Sequence, residues 1–202
     1  REGSKIVLFA HGNAGNITNR LKFMEQFMSH NISFLFFDYR GFGKSSGKST
    51  IESTFQDMED CYKFIIKELK YKKQDIIPIG ESIGSYPSSK LASKYDLPKL
   101  VIFYGVHSLA LTVKHMMPIL YPLFYVFICN DLRVCDNLKK YKGNTLLLHS
   151  KEDDIVNYQN AIENSHKPLI YTECSSCACS SVRPVKDRSL LSAIKCPSGF
   201  LR

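Results

Sequence analysis

The 202-residue chain lacks a long apolar run. Its longest candidate, MMPILYPLFYVFI (116–128), has 13 residues and is interrupted by Pro118 and Pro122, short of the about 20 that cross a bilayer as a helix. The first apolar run, IVLFA (6–10), is too short for a signal-peptide core. The chain also lacks an initiating methionine and opens on Arg1, so an upstream segment is expected and targeting is not read from this end. It has no basic face interleaved with aromatic residues. The 27 Lys and Arg against 19 Asp and Glu give a net charge of +8, but the lysines are scattered, as in KELKYKK (67–73) and KKYK (139–142). That excludes a nucleic-acid reader and leaves a solvated surface with a weak attraction to anionic lipid. A phosphate-cradling loop is missing too: in DYRGFGKSSGKS (38–49) neither Gly43 nor Gly41 has the spacing to Gly47 that such a loop requires. Among the seven cysteines, Cys174, Cys177, Cys179 and Cys196 offer one CxxC knuckle without a second, so no metal and no cofactor is expected. Cys61, Cys129 and Cys135 lie apart in segments that read as core or helix. Reduced thiols follow, and a cytoplasmic or membrane-associated setting fits better than a secreted one.

What is present is a core. The chain is 44% hydrophobic and 12% aromatic, which excludes disorder and fits one domain. The runs IVLFA (6–10), SFLFFDY (33–39), DIIPIG (75–80), KLVIFYG (99–105) and NTLLLHS (144–150) are continuous rather than alternating. Strands covered on both faces have that pattern, which predicts a mostly parallel sheet. Between them, Ile51, Phe55, Met58, Tyr62, Ile65, Ile66 and Leu69 recur at helical spacing, with Ser49 and Glu52 as an expected capping box. The expected fold is α/β, a doubly wound sheet that is incomplete at both ends. Residues 1–171 form the domain, with an insertion at 106–138 that is either a core helix or a cap over an apolar site. Residues 172–202 form a Cys- and Ser-rich tail where the alternation of strands and helices stops.

The chemistry gathers in loops at the carboxyl ends of the strands, where open α/β sheets place ligands. Gly80-Glu81-Ser82-Ile83-Gly84 follows an aliphatic strand and opens a helical pattern. A GxSxG turn of this kind lifts the serine hydroxyl clear of the sheet. Upstream, HGNAGN (11–16) can aim backbone amides at a developing oxyanion, with Asn13 and Ile83 as the two candidate donors. Downstream, HSKEDDIV (149–156) offers Asp153 and Asp154 as carboxylates able to orient a histidine.

HGNAGNITNR, FDYRGFGKSSG, GESIGS and LLLHSKEDDIV, in that order, together resemble the α/β-hydrolase superfamily. The likeness is to its serine aminopeptidase-like branch, which includes α/β-hydrolase domain proteins that act as protein depalmitoylases. The resemblance covers about residues 5–165. It implies Ser82 as nucleophile, Asp153 as acid, the amides of Asn13 and Ile83 as oxyanion donors, and 106–138 as the region of substrate selectivity. The family's histidine lies well beyond the acid in a Gly-rich turn, where this chain reads Cys174-Ser175-Ser176-Cys177. The single histidine after Asp153 is His166, so no catalytic histidine is named and slow turnover is expected. The expected function is hydrolysis of an ester or thioester, on a small molecule or an acylated protein, with peripheral membrane contact as a further expectation. The alternative is a non-catalytic binding module of the same fold.

Overall fold

The computed structural model describes residues 5–106, 114, 119, 134–149 and the backbone of 170–173. Asp153, His166 and most of the expected cap and tail lie outside the described residues. Six strands form one sheet: β1 (Ile6–Ala10), β2 (Ser33–Phe37), β3 (Ile76–Glu81), β4 (Lys99–Phe103), β5 (Asn144–His149) and β6 (Ile170–Glu173). Their order is β2-β1-β3-β4-β5-β6, and every neighbouring pair runs parallel.

Helices cover both faces, which explains the continuous apolar runs. In β1, Ile6, Leu8 and Ala10 face α2 (Ile51–Lys67) and α3 (Ser85–Lys94), packing with Met58, Ile65 and Leu91. Val7 and Phe9 point the other way, onto Phe23 and Phe27 of α1 (Leu21–Ser29). The helix α4 (Val134–Lys140), which contains the last part of the segment read as a cap, joins the first face: Val134 is in its core, and Asn137 Nδ2 donates to Ser89 Oγ of α3 at 3.1 Å.

Two local expectations need correction. The cap of α2 is Thr50, not Ser49: its hydroxyl accepts the Ser53 N–H at 3.1 Å, and Ser53 Oγ accepts the Thr50 N–H at 2.8 Å. Glu52, freed from capping, instead receives Lys90 Nζ at 2.8 Å. Leu69 lies beyond the helix end and is exposed. The second strand is also shorter than the run SFLFFDY: it stops at Phe37 because Asp38 turns its carboxylate to the Ile17 N–H at 2.8 Å. Among the described residues, no helix is long and apolar enough to cross a membrane.

The sheet order places a switch point at β1, which neighbours both β2 and β3. The direction in which successive strands are added reverses there, and open α/β sheets place ligands at such a point beyond the carboxyl ends of the strands. The register pairs Ala10 with Gly80, so the loops leaving β1 and β3 start side by side.

Candidate active site

Ser82 follows β3 directly and begins a single 3-10 turn, Ser82–Gly84, that runs into α3. Its φ is +52°, in the left-handed region that non-glycine residues enter at about 1–3 kcal/mol. The surroundings hold it there. Ser85, fully buried, donates Oγ–H to the Ser82 carbonyl at 2.5 Å. A Cβ at Gly84 would overlap the Ala10 carbonyl oxygen, and one at Gly80 would overlap Ser88 Oγ and the Gly84 carbonyl. Both glycines of GESIG are therefore required by close approach of backbone, and the strand-to-helix turn expected from the sequence is present.

The loop after β1 closes over this turn. A methyl group at Gly12 would sit 3.3 Å from Ser82 Cβ, so HGN and the elbow are in contact. Asn13 is exposed, and Ile83 is half-buried with its side chain packed on the core. Neither the Asn13 nor the Ile83 N–H has a hydrogen-bond acceptor among the described residues. Ile83 owes this to its place in the first turn of a helix, where amides lack intrahelical partners.

Polar side chains fix the loop from below. His11 is completely buried and donates Nδ1–H to the Gly12 carbonyl at 2.7 Å. Burial lowers its pKa from the ordinary value, so the ring is neutral at pH 7. Its Nε2 lies 3.3 Å from Asp38 Oδ1 without forming a hydrogen bond. Tyr39 donates its hydroxyl to the His11 carbonyl at 2.9 Å. Arg20 and Glu81 form a bidentate pair, with Nε–Oε2 and Nη2–Oε1 both at 2.8 Å, and both residues are buried.

Of the residues singled out in the sequence, Ser82 and Ile83 lie on the elbow and Asn13 follows Gly12, which packs against Ser82; Asp153 lies outside the described residues. Arg20, Glu81 and Asp38 were missed as supports of the site. Glu81 was visible inside GESIG, but its partner stands 61 positions away, and no local pattern signals that pairing. Among the described residues no histidine bonds to Ser82: His11 is committed to Gly12, His30 caps α1 by contact with Gln26, and His149 is buried edge-on to Tyr104. Cys61 and Cys135 are free thiols, and burial pushes Cys61 up to about 12, which keeps it protonated.

A parallel sheet with a strained serine elbow at its switch point, faced by a loop whose Asn13 amide has no acceptor among the described residues, is the arrangement of an α/β hydrolase. The chain belongs to the serine aminopeptidase family, S33, which matches residues 1–124. It is similar to the α/β hydrolase domain-containing protein aho-3 of Caenorhabditis elegans, 29% identical over 181 residues, covering 89% of this chain and 49% of that protein. It is similar also to human α/β hydrolase domain-containing protein 17B, 27% identical over 168 residues, covering 81% and 56%. The chain thus spans about half the length of these curated relatives. Among solved structures, an α/β hydrolase from Vibrio vulnificus superposes with a TM-score of 0.72 at 17% identity, covering 85% of this chain and 66% of that one. The esterase Pf2001 of Pyrococcus furiosus superposes with a TM-score of 0.68 at 21% identity, covering 85% and 72%. These structures share the fold.

Proposed function

We propose that the chain acts as a serine hydrolase on esters or thioesters through an acyl-enzyme at Ser82. The observation that carries the reading is the positive φ of Ser82 at the switch point, with the Asn13 and Ile83 amides lacking an acceptor among the described residues. Ser82 Oγ attacks the acyl carbonyl, its proton passes to a base, and the Oγ–C bond forms as the carbonyl oxygen becomes an oxyanion. The N–H groups of Asn13 and Ile83 receive that charge. Collapse expels the alcohol or thiol with a proton, and water then releases the acid and restores Ser82. Asp153 is the proposed acid that orients the base; no histidine is assigned to that place.

The substrate is proposed to carry an apolar acyl group, because Met116, Met117, Leu120, Phe124 and Phe127 crowd the segment expected to select it. An acylated protein or a small acyl ester fits this description, and the net charge of +8 favours approach to an anionic membrane surface. Domain limits of 1–171, with a selective insertion at 106–138, belong to the same proposal. A second reading, a binding module without turnover, is favoured by one feature: the sequence after Asp153 holds one histidine, His166, away from the family's position.

The two readings separate by kinetics on p-nitrophenyl esters of short and medium chain length and on an aminoacyl amide. Ester hydrolysis that disappears in Ser82→Ala supports the hydrolase. Faster amide cleavage would overturn the substrate class, and a folded chain with no hydrolysis above Ser82→Ala would favour the binding module.

A further inference from the structure

The buried pair Arg20–Glu81 takes no part in the reaction steps above, yet it lies against the reacting residue. Two charges lose hydration when buried, and well-packed apolar side chains in their place are often equally stable. Stability therefore does not account for the pair; its hydrogen bonds do. Glu81 Oε2 accepts the Gly12 N–H at 3.2 Å as well as Arg20 Nε at 2.8 Å. Arg20 Nη1 donates to the Ala14 carbonyl at 2.6 Å, and His11 Nδ1 donates to the Gly12 carbonyl at 2.7 Å. The peptide that carries the Asn13 N–H is thereby fastened by His11, the peptide before it by Glu81, and the Ala14–Gly15 peptide by Arg20. Because a peptide unit is planar and trans, fixing the Gly12 carbonyl also fixes the direction of the Asn13 N–H.

We propose that Arg20 and Glu81 are positioning residues that tie the oxyanion loop to the nucleophile elbow and hold the Asn13 N–H at a set distance from Ser82. The proposal rests on the reading of Ser82 as nucleophile. Glu81 is the residue immediately before Ser82, so the loop is fastened to the elbow itself rather than to a distant frame. The carboxylate also occupies the Gly12 amide, which is thereby withdrawn from an oxyanion while the Asn13 N–H is not. Without Arg20 the Glu81 charge would oppose a developing oxyanion one residue away. The guanidinium cancels that charge in place.

The test measures the rate constant of Ser82 modification by a fluorophosphonate, with thermal unfolding of each variant. When a triad base is lacking, the remaining rate comes from the oxyanion hole and binding, so this rate reads the positioning directly. Arg20→Met is expected to lower it about 100-fold, comparable with loss of an oxyanion donor. Glu81→Gln, which keeps an acceptor for Gly12, should lower it less, by about 10-fold. The double variant Arg20→Met/Glu81→Leu should regain most of the thermal stability lost in Arg20→Met while its labelling stays low. A purely structural pair would restore both together. Asp57→Asn, which breaks the Arg40–Asp57 pair away from the loop, should leave the labelling rate unchanged. A folded double variant that labels at the wild-type rate overturns the positioning role, and so does an Asp57→Asn rate as low as that of Arg20→Met. Wild-type labelling that is absent, or that survives in Ser82→Ala, overturns instead the reading of Ser82 on which the proposal rests.

Discussion

Replacing Gly84 by alanine puts two opposed effects on one residue. Gly84 has φ −61° and ψ −15°, a helical conformation that alanine adopts freely, and at such sites the change stabilises by about 0.4–1 kcal/mol through the unfolded chain. Against this, the new Cβ would overlap the Ala10 carbonyl oxygen, lie 2.8 Å from its carbon and 3.0 Å from the His11 oxygen. These are backbone atoms of a fully buried strand end, unable to swing aside. Overpacking of this kind costs about 1–3 kcal/mol, so the clash wins, with a net loss of about 1–2 kcal/mol. For a chain of this size that lowers Tm by about 2–8 °C. Relief requires β1 and the elbow to move apart by roughly 1 Å, a displacement that can reduce reaction rates about 10²-fold. Differential scanning fluorimetry and the fluorophosphonate labelling rate read both effects. A Gly84→Ala protein that melts at or above the wild-type temperature and labels equally fast would refute the reasoning.

Ser82→Gly removes the side chain that makes φ +52° costly, so urea unfolding should show a gain of about 1 kcal/mol with all labelling lost; an unchanged midpoint would mean the turn is not strained. Thr50→Ala should cost about 1 kcal/mol through the lost helix cap while Ser49→Ala stays within about 0.5 kcal/mol, and the opposite order in denaturant titrations would reverse the assignment. His11 has a folded pKa below its ordinary value of 6.5, so the unfolded chain takes up the proton first. Its contribution therefore falls as the pH drops below about 6.5 toward the folded pKa and is constant well above it. Comparing urea midpoints at pH 7.5 and 5.5, the difference should shrink in His11→Gln; an identical difference would remove His11 as a cause.

The core was legible because its signal is local. Continuous aliphatic runs mark strands covered on both faces, and five of them fell within a few residues of the observed β1 to β5. Boundaries failed where a side chain left the pattern for a distant partner: Asp38 ends β2 by turning to Ile17, and Tyr39 reaches the His11 carbonyl. The cap of α2 was misplaced by one residue because both Ser49 and Thr50 can cap, and what decides between them is the reciprocal bond to Ser53. The serine elbow was readable from two glycines and a strand. Its support was not, since Arg20 and Glu81 meet only after β1 and β3 pair in register.

A nucleophile raised by the fold is marked by where a serine-directed reagent bonds. The chain should be incubated with a fluorophosphonate under native conditions, digested, and its adduct located by tandem mass spectrometry, with a heat-unfolded sample beside it. One adduct, on the peptide spanning β3 and α3 and borne by Ser82, absent from the unfolded sample, is the predicted result. An adduct on another residue, or equal modification of Ser82 in folded and unfolded chain, would contradict it.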